Sequence, residues 1–234
     1  MTRKQGPAFD TAPVLCPGGT VVCLATGPSL KPADVDYCRE KATVIAVNDA
    51  WKLAPWADVL YSSDQYWYPT HRWVPQFYGL KVWMPEVEGN KFRIYERKGS
   101  QFRTTEQRPD GVLFLKRTGE TGVEWSPHGL RSLKNSGGSA INLAVHLGAR
   151  RIVLLGYDMG ATGQGHFFGS HPQGLRNTRK DTYLVFQHMI ATMVEPLRER
   201  GITVINATRR SALTCFPMMP LQQALPDAQQ EAVA

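Results

Sequence analysis

Short apolar runs that end in small or polar residues recur along the first third of the chain. They cover 20–25 (TVVCLA), Thr43–Val47 (TVIAV) and 57–61 (ADVLY), and 80–84 follows as a fourth. Runs of this length that are rich in β-branched residues and bounded by turn residues predict buried strands. Because short helical segments separate them, we predict a parallel sheet whose strands are joined by crossover connections.

The second half of the chain carries the clearest helical pattern. Apolar residues recur at helical spacing over 136–147 and again over 182–200. The second of these helices is predicted to contribute to the core through Tyr183, Phe186, Ile190, Met193 and Leu197. The most apolar run, Arg151–Leu155 (RIVLL), is predicted to be the central strand, close to strand 20–25. A last strand is predicted at 202–205.

Together these elements predict one α/β domain over 20–216. The alternation of strands and helices favours a Rossmann-like, three-layer α/β/α sandwich with a mostly parallel sheet. The stretch 86–134 has little periodicity apart from a strand at 112–115, and we predict an irregular insertion there. Residues 1–19 are predicted to be a flexible segment and residues 217–234 a polar tail, because both are polar and lie at the chain ends.

The composition is that of a folded protein that favours anionic ligands. Of 234 residues, 42% are hydrophobic and 20% are charged, and the formal net charge is +7. A net positive charge of this size favours a nucleotide, a phosphate or an acidic sugar, either as ligand or as part of an acceptor. Nucleic acid is a further candidate partner, but neither a zinc-finger spacing nor a basic helix interleaved with aromatics indicates it.

The sequence also bears on compartment and on the cysteines. No apolar run approaches the roughly 20 residues of a membrane-spanning helix, and residues 1–19 lack the apolar stretch of a secretory signal. We therefore expect a cytoplasmic protein without a membrane span.

The aromatic stretch 66–78 is predicted to pack as a cluster. Four cysteines lack metal-ligand spacing and are predicted to be free, mostly buried thiols: Cys16, Cys23, Cys38 and Cys215.

The candidate binding residues follow the predicted strands or open the predicted helices. Ligands of open α/β sheets bind outside the carboxyl ends of the strands, so these residues are predicted to line one nucleotide-binding crevice. They are Thr26, Gly27, Pro28, Ser29, Asn48, Asp64, Ser136, Gly137, Gly138 and Asp158.

Each residue type suits a part of a nucleotide. Gly27 lets the backbone turn and approach a phosphate, and Ser29, at a predicted helix start, offers a hydroxyl and nearby N–H groups to an anion. Asn48 can both donate and accept toward a base or a sugar. Gly137 and Gly138 leave room for a ligand at a second helix N-terminus. A Walker A loop and the dinucleotide glycine fingerprint are both absent, which argues against a standard ATPase or dehydrogenase.

Four segments, in order along the chain, resemble a known superfamily. VVCLATGPSL is similar to the opening strand and loop of the bacterial sialyltransferases of the Campylobacter type (glycosyltransferase family 42), of motility-associated glycosyltransferases and of archaeal 6-hydroxymethylpterin diphosphokinases. VIAVNDAW resembles their second strand, and NSGGSAINLAVHLGARRIVLLGYDM resembles their helix and central strand. The segment led by His171 is similar to the one that supplies their catalytic base. Phage-encoded proteins carry similar patterns.

The resemblance implies an inverting, metal-independent glycosyltransferase that moves a sugar from a nucleotide sugar to an acceptor hydroxyl. His171 is implied as the general base, since a histidine can work near neutral pH. Helix N–H groups, with His166 or Arg176, would stabilise the leaving phosphate. The glycine-rich loop 156–172 has the composition of a mobile lid. No resident cofactor is expected for this activity.

Two other functions stay open. A magnesium-dependent diphosphokinase of the 6-hydroxymethylpterin type would hold its metal through carboxylates such as Asp64 and Asp158. A non-catalytic nucleotide-binding protein, such as a phage accessory protein, would need no base at His171. The acidic pair Asp34 and Asp36 lies in the first predicted helix, and we predict that it is solvated surface.

Overall fold

The computed structural model describes residues 8–89, 91–99, 101–160, 165–169 and 179–226. In chain order, its strands are β1 (Thr20–Leu24), β2 (Thr43–Val47), β3 (Val59–Ser62), β4 (Leu80–Trp83), β5 (Glu86–Glu88), β6 (Lys91–Lys98), β7 (Gln101–Thr105), β8 (Val112–Phe114), β9 (Lys116–Gly119), β10 (Gly129–Arg131), β11 (Arg151–Leu155) and β12 (Thr203–Asn206). Its helices are α1 (Pro32–Cys38), α2 (Trp67–Thr70), α3 (Ser136–His146), α4 (Lys180–Ala191), α5 (Val194–Glu199) and α6 (Leu221–Ala224).

Seven strands form one parallel sheet in the order β12-β11-β1-β2-β3-β4-β8. The chain steps from β1 to β4 in one direction, and β11 and β12 then add on the other side of β1. This reversal beside β1 is the switch point at which open α/β sheets bind ligands. The predicted Rossmann-like α/β class with a mostly parallel sheet is confirmed.

Strand residues alternate between the two faces of the sheet, and each face packs against helices. On β1, Val21 and Cys23 belong to the cluster that contains Ile141 of α3. Val22 and Leu24 belong to the opposite cluster, which contains Val35 of α1. Both faces are thus covered, which explains why the strands appear in the sequence as continuous apolar runs. Within the described ranges, none of the helices has the length and apolar character needed to span a membrane.

The strand predicted to be central is second from the edge. Strand β11 lies between β12 and β1, and the middle position of the sheet belongs to β2. Ile152 and Leu154 of β11 are nevertheless completely buried on one face, and Val153 is on the other. Burial on both faces, which makes a strand apolar, therefore does not require a central position. The predicted closeness of β11 to strand 20–25 is confirmed by their parallel pairing.

The predicted helix over 182–200 is two helices, α4 and α5. Pro196 lies in the first turn of α5 and has no N–H to donate to Thr192, so one long helix cannot continue through this point. Ile190, Met193 and Leu197 are buried, as predicted. The other two predicted core residues, Tyr183 and Phe186, are half-buried and line a cavity instead.

Much of the stretch 86–134 forms strands, contrary to the predicted irregular insertion, and β8 confirms the one strand predicted there, at 112–115. Strands β5, β6 and β7 form an antiparallel sheet, β8 joins the edge of the main sheet, and β9 pairs with β10. Charged residues conceal the strand pattern: in β6 (KFRIYERK) only Ile94 is buried, while the remaining side chains are half-buried or exposed. A strand with so little apolar alternation gives a weak sequence signal.

The described residues of both terminal segments, 8–19 and 217–226, pack more closely than predicted. The Asp10 carboxylate accepts the Phe114 N–H at 2.7 Å, and Ala12 is buried, so residues 8–19 make ordered contacts. At the other end, Leu221 and Leu225 are buried against the core, and the predicted polar tail does not hold for residues 217–226. Leu221 on α6 and Leu225 just after it, four residues apart, are the signal that the polar composition concealed.

Two smaller predictions concern the aromatics and the thiols. Trp67, Tyr68 and Phe77 are buried in a packed aromatic cluster, as predicted, whereas Tyr78 is 95% exposed. The cysteines are free, with Cys23 and Cys38 buried and the other two half-buried.

Asp34 and Asp36 lie in different environments, and the prediction of solvated surface is wrong for Asp34. Its buried carboxylate accepts two hydrogen bonds from the Arg209 guanidinium, at 2.6 Å from Nε and 2.7 Å from Nη2. Asp36 is exposed. Residues two apart on a helix point in different directions, so the pair cannot act together. The Asp34–Arg209 pair fastens α1 to the segment that follows β12.

We expect Asp34→Ala to lower the free energy of unfolding by about 1–2 kcal/mol, because the buried bidentate bond is lost while Arg209 remains partly solvated. Asp36→Ala on the same helix should change it by less than about 0.5 kcal/mol. Urea denaturation of the two variants measures the difference. Equal stabilities would contradict a structural role for the pair.

Candidate functional site

A cavity of about 470 Å³ opens at the carboxyl ends of β1, β2, β3 and β11, beside the start of α3. It coincides with the switch point of the sheet. Eight of the predicted site residues line it: Thr26, Gly27, Asn48, Asp64, Ser136, Gly137, Asp158 and His166. The crevice predicted from the strand ends therefore exists as one connected space. Pro28, Ser29 and Gly138 do not line it, and His171 and Arg176 lie outside the described residues.

The N-terminus of α3 presents free donors to this cavity. Asn135 caps the helix by accepting the Gly138 N–H through Oδ1 at 2.6 Å. The N–H groups of Ser136 and Gly137 have no hydrogen-bond partner in the part of the chain that the structure describes. Unpaired N–H groups at the positive end of a helix dipole form an anion-binding position.

Hydrogen bonds hold this helix end against the strands. The Ser136 hydroxyl accepts the Ser63 N–H at 3.0 Å, and Tyr61 of β3 donates to the Ser139 hydroxyl at 2.9 Å. Just after β11, the Tyr157 hydroxyl donates to the Gly137 carbonyl at 2.9 Å. Because both tyrosine rings are buried, these bonds are shielded from water and fix the position of the helix start.

Gly138 does not make room for a ligand, contrary to the prediction. A side chain at Gly138 would meet Leu133 Cβ at 2.8 Å and Ile190 Cγ1 at 3.1 Å, so the glycine permits close packing within the protein. At Gly137, an added Cβ would meet the Tyr157 ring at 3.1 Å. The small residues here serve the packing of α3, and the backbone of Gly137 is the part that faces the cavity.

The loop after β1 also differs from its predicted role. An added Cβ on Gly27 would lie 1.9 Å from Asp158 Oδ1 and 2.4 Å from the Gly156 carbonyl oxygen. The Asp158 carboxylate thus occupies the space that we predicted for a phosphate. Ser29 precedes α1, which begins at Pro32, and its N–H donates to Asp158 Oδ2 at 2.9 Å. Proline restricts the preceding residue to extended backbone, so the helix cannot start at Ser29.

Asp158 is unusual because its carboxylate is buried in the cavity wall. It is 2% exposed, and Oδ1 is buried without a hydrogen-bond partner among the described residues. Burial raises the pKa of its carboxyl group, and the contacts with Ser29 offset part of that effect. A buried carboxylate with a raised pKa in a cleft is a feature of functional sites.

Asn48 provides a second buried polar atom. Its backbone is left-handed (φ 50°), and its Oδ1 is buried without a partner in the described ranges. The next residue, Asp49, holds this turn in place by accepting from Trp67 Nε1 at 3.1 Å and from Lys52 at 2.6 Å. A strained residue held by its neighbours at the edge of a cleft is typical of ligand-binding positions.

Thr26 joins the first strand to the glycine-rich loop. Its hydroxyl lies 2.7 Å from His166 Nδ1, and its carbonyl accepts the Phe167 N–H at 2.9 Å. The His166 ring stacks on Phe168 with a centroid distance of 4.9 Å. Residues 165–169 of the predicted lid are therefore bonded to the loop that follows β1 and place His166 at the cavity.

Sequence reasoning missed several residues of the cavity wall. Arg117 and Lys134 bring positive charge from the region predicted as an irregular insertion, and Lys134 pairs with Glu120 at 3.3 Å. Tyr183 and Phe186 bring aromatic rings from α4. The basic composition of the region was the available signal for the cations, but it did not indicate which of its many basic residues face the site.

The carboxylates of the site accept hydrogen bonds from backbone N–H groups of the protein. Asp64 Oδ1 accepts the N–H groups of Tyr66 at 2.7 Å and Trp67 at 3.1 Å, in the manner of a turn cap. The described residues contain no group of three or more His, Cys, Asp or Glu side chains arranged to hold a metal ion.

Comparisons of the chain with protein-family models, with curated proteins and with solved structures find no match.

The contact at Gly27 predicts a stability effect. Gly27→Ala should lower the free energy of unfolding by at least about 2 kcal/mol, because its methyl group overlaps Asp158 and Gly156. Gly165→Ala is the matched control: it also changes a cavity glycine, but the nearest heavy atom to its added Cβ is Tyr183 Oη at 4.0 Å. Urea denaturation compares the two. Unchanged stability in Gly27→Ala would contradict the close packing of β1 against β11.

The raised pKa of Asp158 predicts a pH effect. Between the ordinary aspartate pKa of about 3.9 and the raised value, the folded state binds more protons than the unfolded state, so this group destabilises the fold as the pH rises. Asp158→Asn should therefore raise the Tm at pH 8 and have less effect at pH 4. Asp181→Asn, at an exposed position on α4, should show no such pH-dependent difference. A lower Tm of Asp158→Asn at pH 8 would contradict the shift.

Proposed function

We propose that this chain binds a nucleotide sugar in the cavity at the strand ends and transfers its sugar to an acceptor hydroxyl. The proposal combines the geometry of the cavity with the resemblance of four segments to the sialyltransferase-type superfamily. It concerns an inverting transferase with no resident cofactor, and the identities of the base and the sugar stay open.

One observation supports the proposal most strongly: two kinds of ligand-binding groups meet at the switch point. Free N–H groups of Ser136 and Gly137 suit an anion, while buried acceptor atoms of Asn48 and Asp158 suit the hydroxyl or amino hydrogens of a ribose or base. A phosphate alone would use only the first set. A nucleotide uses both, since it carries negative charge at one end and hydrogen-bond donors at the other.

The wall opposite the strand ends suits the remaining parts of such a ligand. Tyr183 and Phe186 offer aromatic surface against which a base or sugar ring can pack. Arg117 adds positive charge to the cavity, where negative charge would grow on the leaving phosphate, while Lys134 is paired with Glu120 of the same wall. His166, held by Thr26, would be a further hydrogen-bond donor at the cavity edge.

The acceptor hydroxyl must lose its proton as it attacks the sugar. His171 is the proposed general base, on the resemblance alone, since it lies outside the described residues. Histidine is suited to this step because its pKa allows it to accept a proton near neutral pH. His188, which is exposed on α4, offers a matched control for substitution at this position.

The binding half of the proposal is tested by a thermal-shift screen of nucleotides and nucleotide sugars, followed by calorimetry. A ligand at 100 times its Kd should stabilise the protein by about 2.7 kcal/mol. Asn48→Gly should then weaken that ligand about tenfold, because it removes one buried hydrogen-bonding group but tolerates the left-handed backbone. If no nucleotide stabilises the protein, or if Asn48→Gly leaves the affinity of the best ligand unchanged, the assigned site is wrong.

The catalytic half is tested by turnover in excess EDTA. A glycosyltransferase of the proposed kind should release nucleoside phosphate from its donor under these conditions, and His171→Ala should reduce kcat by about 10²–10⁴-fold while His188→Ala does not. A diphosphokinase should instead convert ATP to AMP and stop when magnesium is removed. Magnesium-dependent AMP formation as the sole turnover would replace the proposal with that alternative.

A further inference from the structure

A second cavity, of about 770 Å³, lies beside the first on the same edge of the sheet. Its walls come from the segment that follows β4 (Pro85 to Gly89) and from the residues that follow β8, Lys116 and Arg117. Both strands are parallel to β1 and end at the same edge. Arg117 lines both cavities, so the two spaces meet at its side chain.

The second cavity has an excess of positive charge. Arg93 is neutralised by two carboxylates, at 3.5 Å from Glu86 and 2.9 Å from Glu88. Lys116 and Arg117 form no ion pair or hydrogen bond through their side chains with any residue that the structure describes. Two adjacent exposed cations without carboxylate partners attract an anionic group.

The same cavity also has an apolar wall. Phe9, Pro85 and Val87 line it, and Val87 is 44% exposed. Phe9 is held by an edge-to-face contact with Phe92, at a centroid distance of 5.0 Å. Apolar side chains next to unpaired cations suit a sugar that carries a charged group, because a sugar ring has a C–H face that packs on apolar surface while its charged group binds the cations.

Gln65 fixes the second cavity relative to the first. Its side chain accepts the Glu86 N–H at 3.0 Å through Oε1 and donates to the Arg93 carbonyl through Nε2. Gln65 follows Asp64, which lines the first cavity. The loop after β3 therefore positions the antiparallel β5-β6-β7 sheet next to the proposed donor site.

We propose that the second cavity is the acceptor site and that it takes a saccharide bearing a carboxylate or a phosphate. This inference rests on the proposed function, because it requires a donor in the first cavity. An acceptor hydroxyl oxygen would form a bond to the anomeric carbon of the donor sugar. The bond from that carbon to the phosphate oxygen breaks, the nucleotide leaves with the electron pair, and the hydroxyl proton passes to the general base.

The test measures binding of three disaccharides to the full chain at low salt by calorimetry or ligand-observed NMR. An unsulfated chondroitin disaccharide carries a carboxylate, trehalose 6-phosphate carries a phosphate, and trehalose carries neither. At least one anionic disaccharide should bind about tenfold more tightly than trehalose, and Lys116→Gln should remove that preference. Arg103→Gln, an exposed site on β7 that lines neither cavity, makes the same charge change and should keep the preference.

The outcomes separate this inference from the proposed function. Equal affinity for all three disaccharides, or a preference that survives both Lys116→Gln and Arg117→Gln, overturns the acceptor site. Tighter binding of an oligothymidylate that Lys116→Gln abolishes would assign the cavity to nucleic acid and also overturn it. If the anionic disaccharide binds as expected but the nucleotide screen is empty, the transferase assignment fails while the saccharide site remains. Thermal melting of each variant establishes that it is folded.

Discussion

The close contact between the loop after β1 and the end of β11 determines where a ligand can bind. Gly27 donates its N–H to the Gly156 carbonyl at 2.8 Å and leaves space for the Asp158 carboxylate. Asp158 in turn accepts the Ser29 N–H. Any side chain at Gly27 would force these two strand ends apart. The switch point is therefore closed at its base by protein groups, and the open space lies above it, toward α3 and α4.

Buried polar groups at the site are unequally satisfied, as they are at Trp51 Nε1, Thr70 Oγ1 and Arg131 Nε outside it. Tyr61 donates to the Ser139 hydroxyl and the Ser63 N–H donates to the Ser136 hydroxyl, as buried polar groups in proteins normally pair. In contrast, Asn48 and Asp158 each keep a buried acceptor without a partner among the described residues. Leaving such an atom unpaired costs about 1–3 kcal/mol. At Asn48 and Asp158, which line the cavity, a ligand that supplies the missing donors would recover that cost.

Sequence reasoning located the site better than it described the contacts within it. The strand-end rule identified the positions of Asn48 and Asp158, because parallel strands bring their carboxyl ends together whatever their order in the sheet. It could not show that Asp158 fills the space over Gly27, since that depends on the packing of two strands far apart in the chain. The strand-end rule also could not identify the cations Arg117 and Lys134 as part of the cavity wall. Arg117 comes from the short, highly charged strand β9, whose alternation is too weak to indicate its course, and Lys134 comes from the turn before α3.

The insertion is attached to α3, and this attachment explains how Arg117 reaches the site. Asn142 of α3 is completely buried; it accepts the Glu124 N–H at 2.8 Å and donates to the Glu124 carbonyl at 2.9 Å. One turn later, His146 contacts the Gly129 carbonyl at 2.8 Å. Burial lowers the pKa of His146, so the ring stays neutral and donates one N–H to that carbonyl. The helix that supplies the free N–H groups of the first cavity thus also positions the β9-β10 pair. Since Arg117 belongs to this pair and lines both cavities, the two proposed binding sites share α3 as a common support.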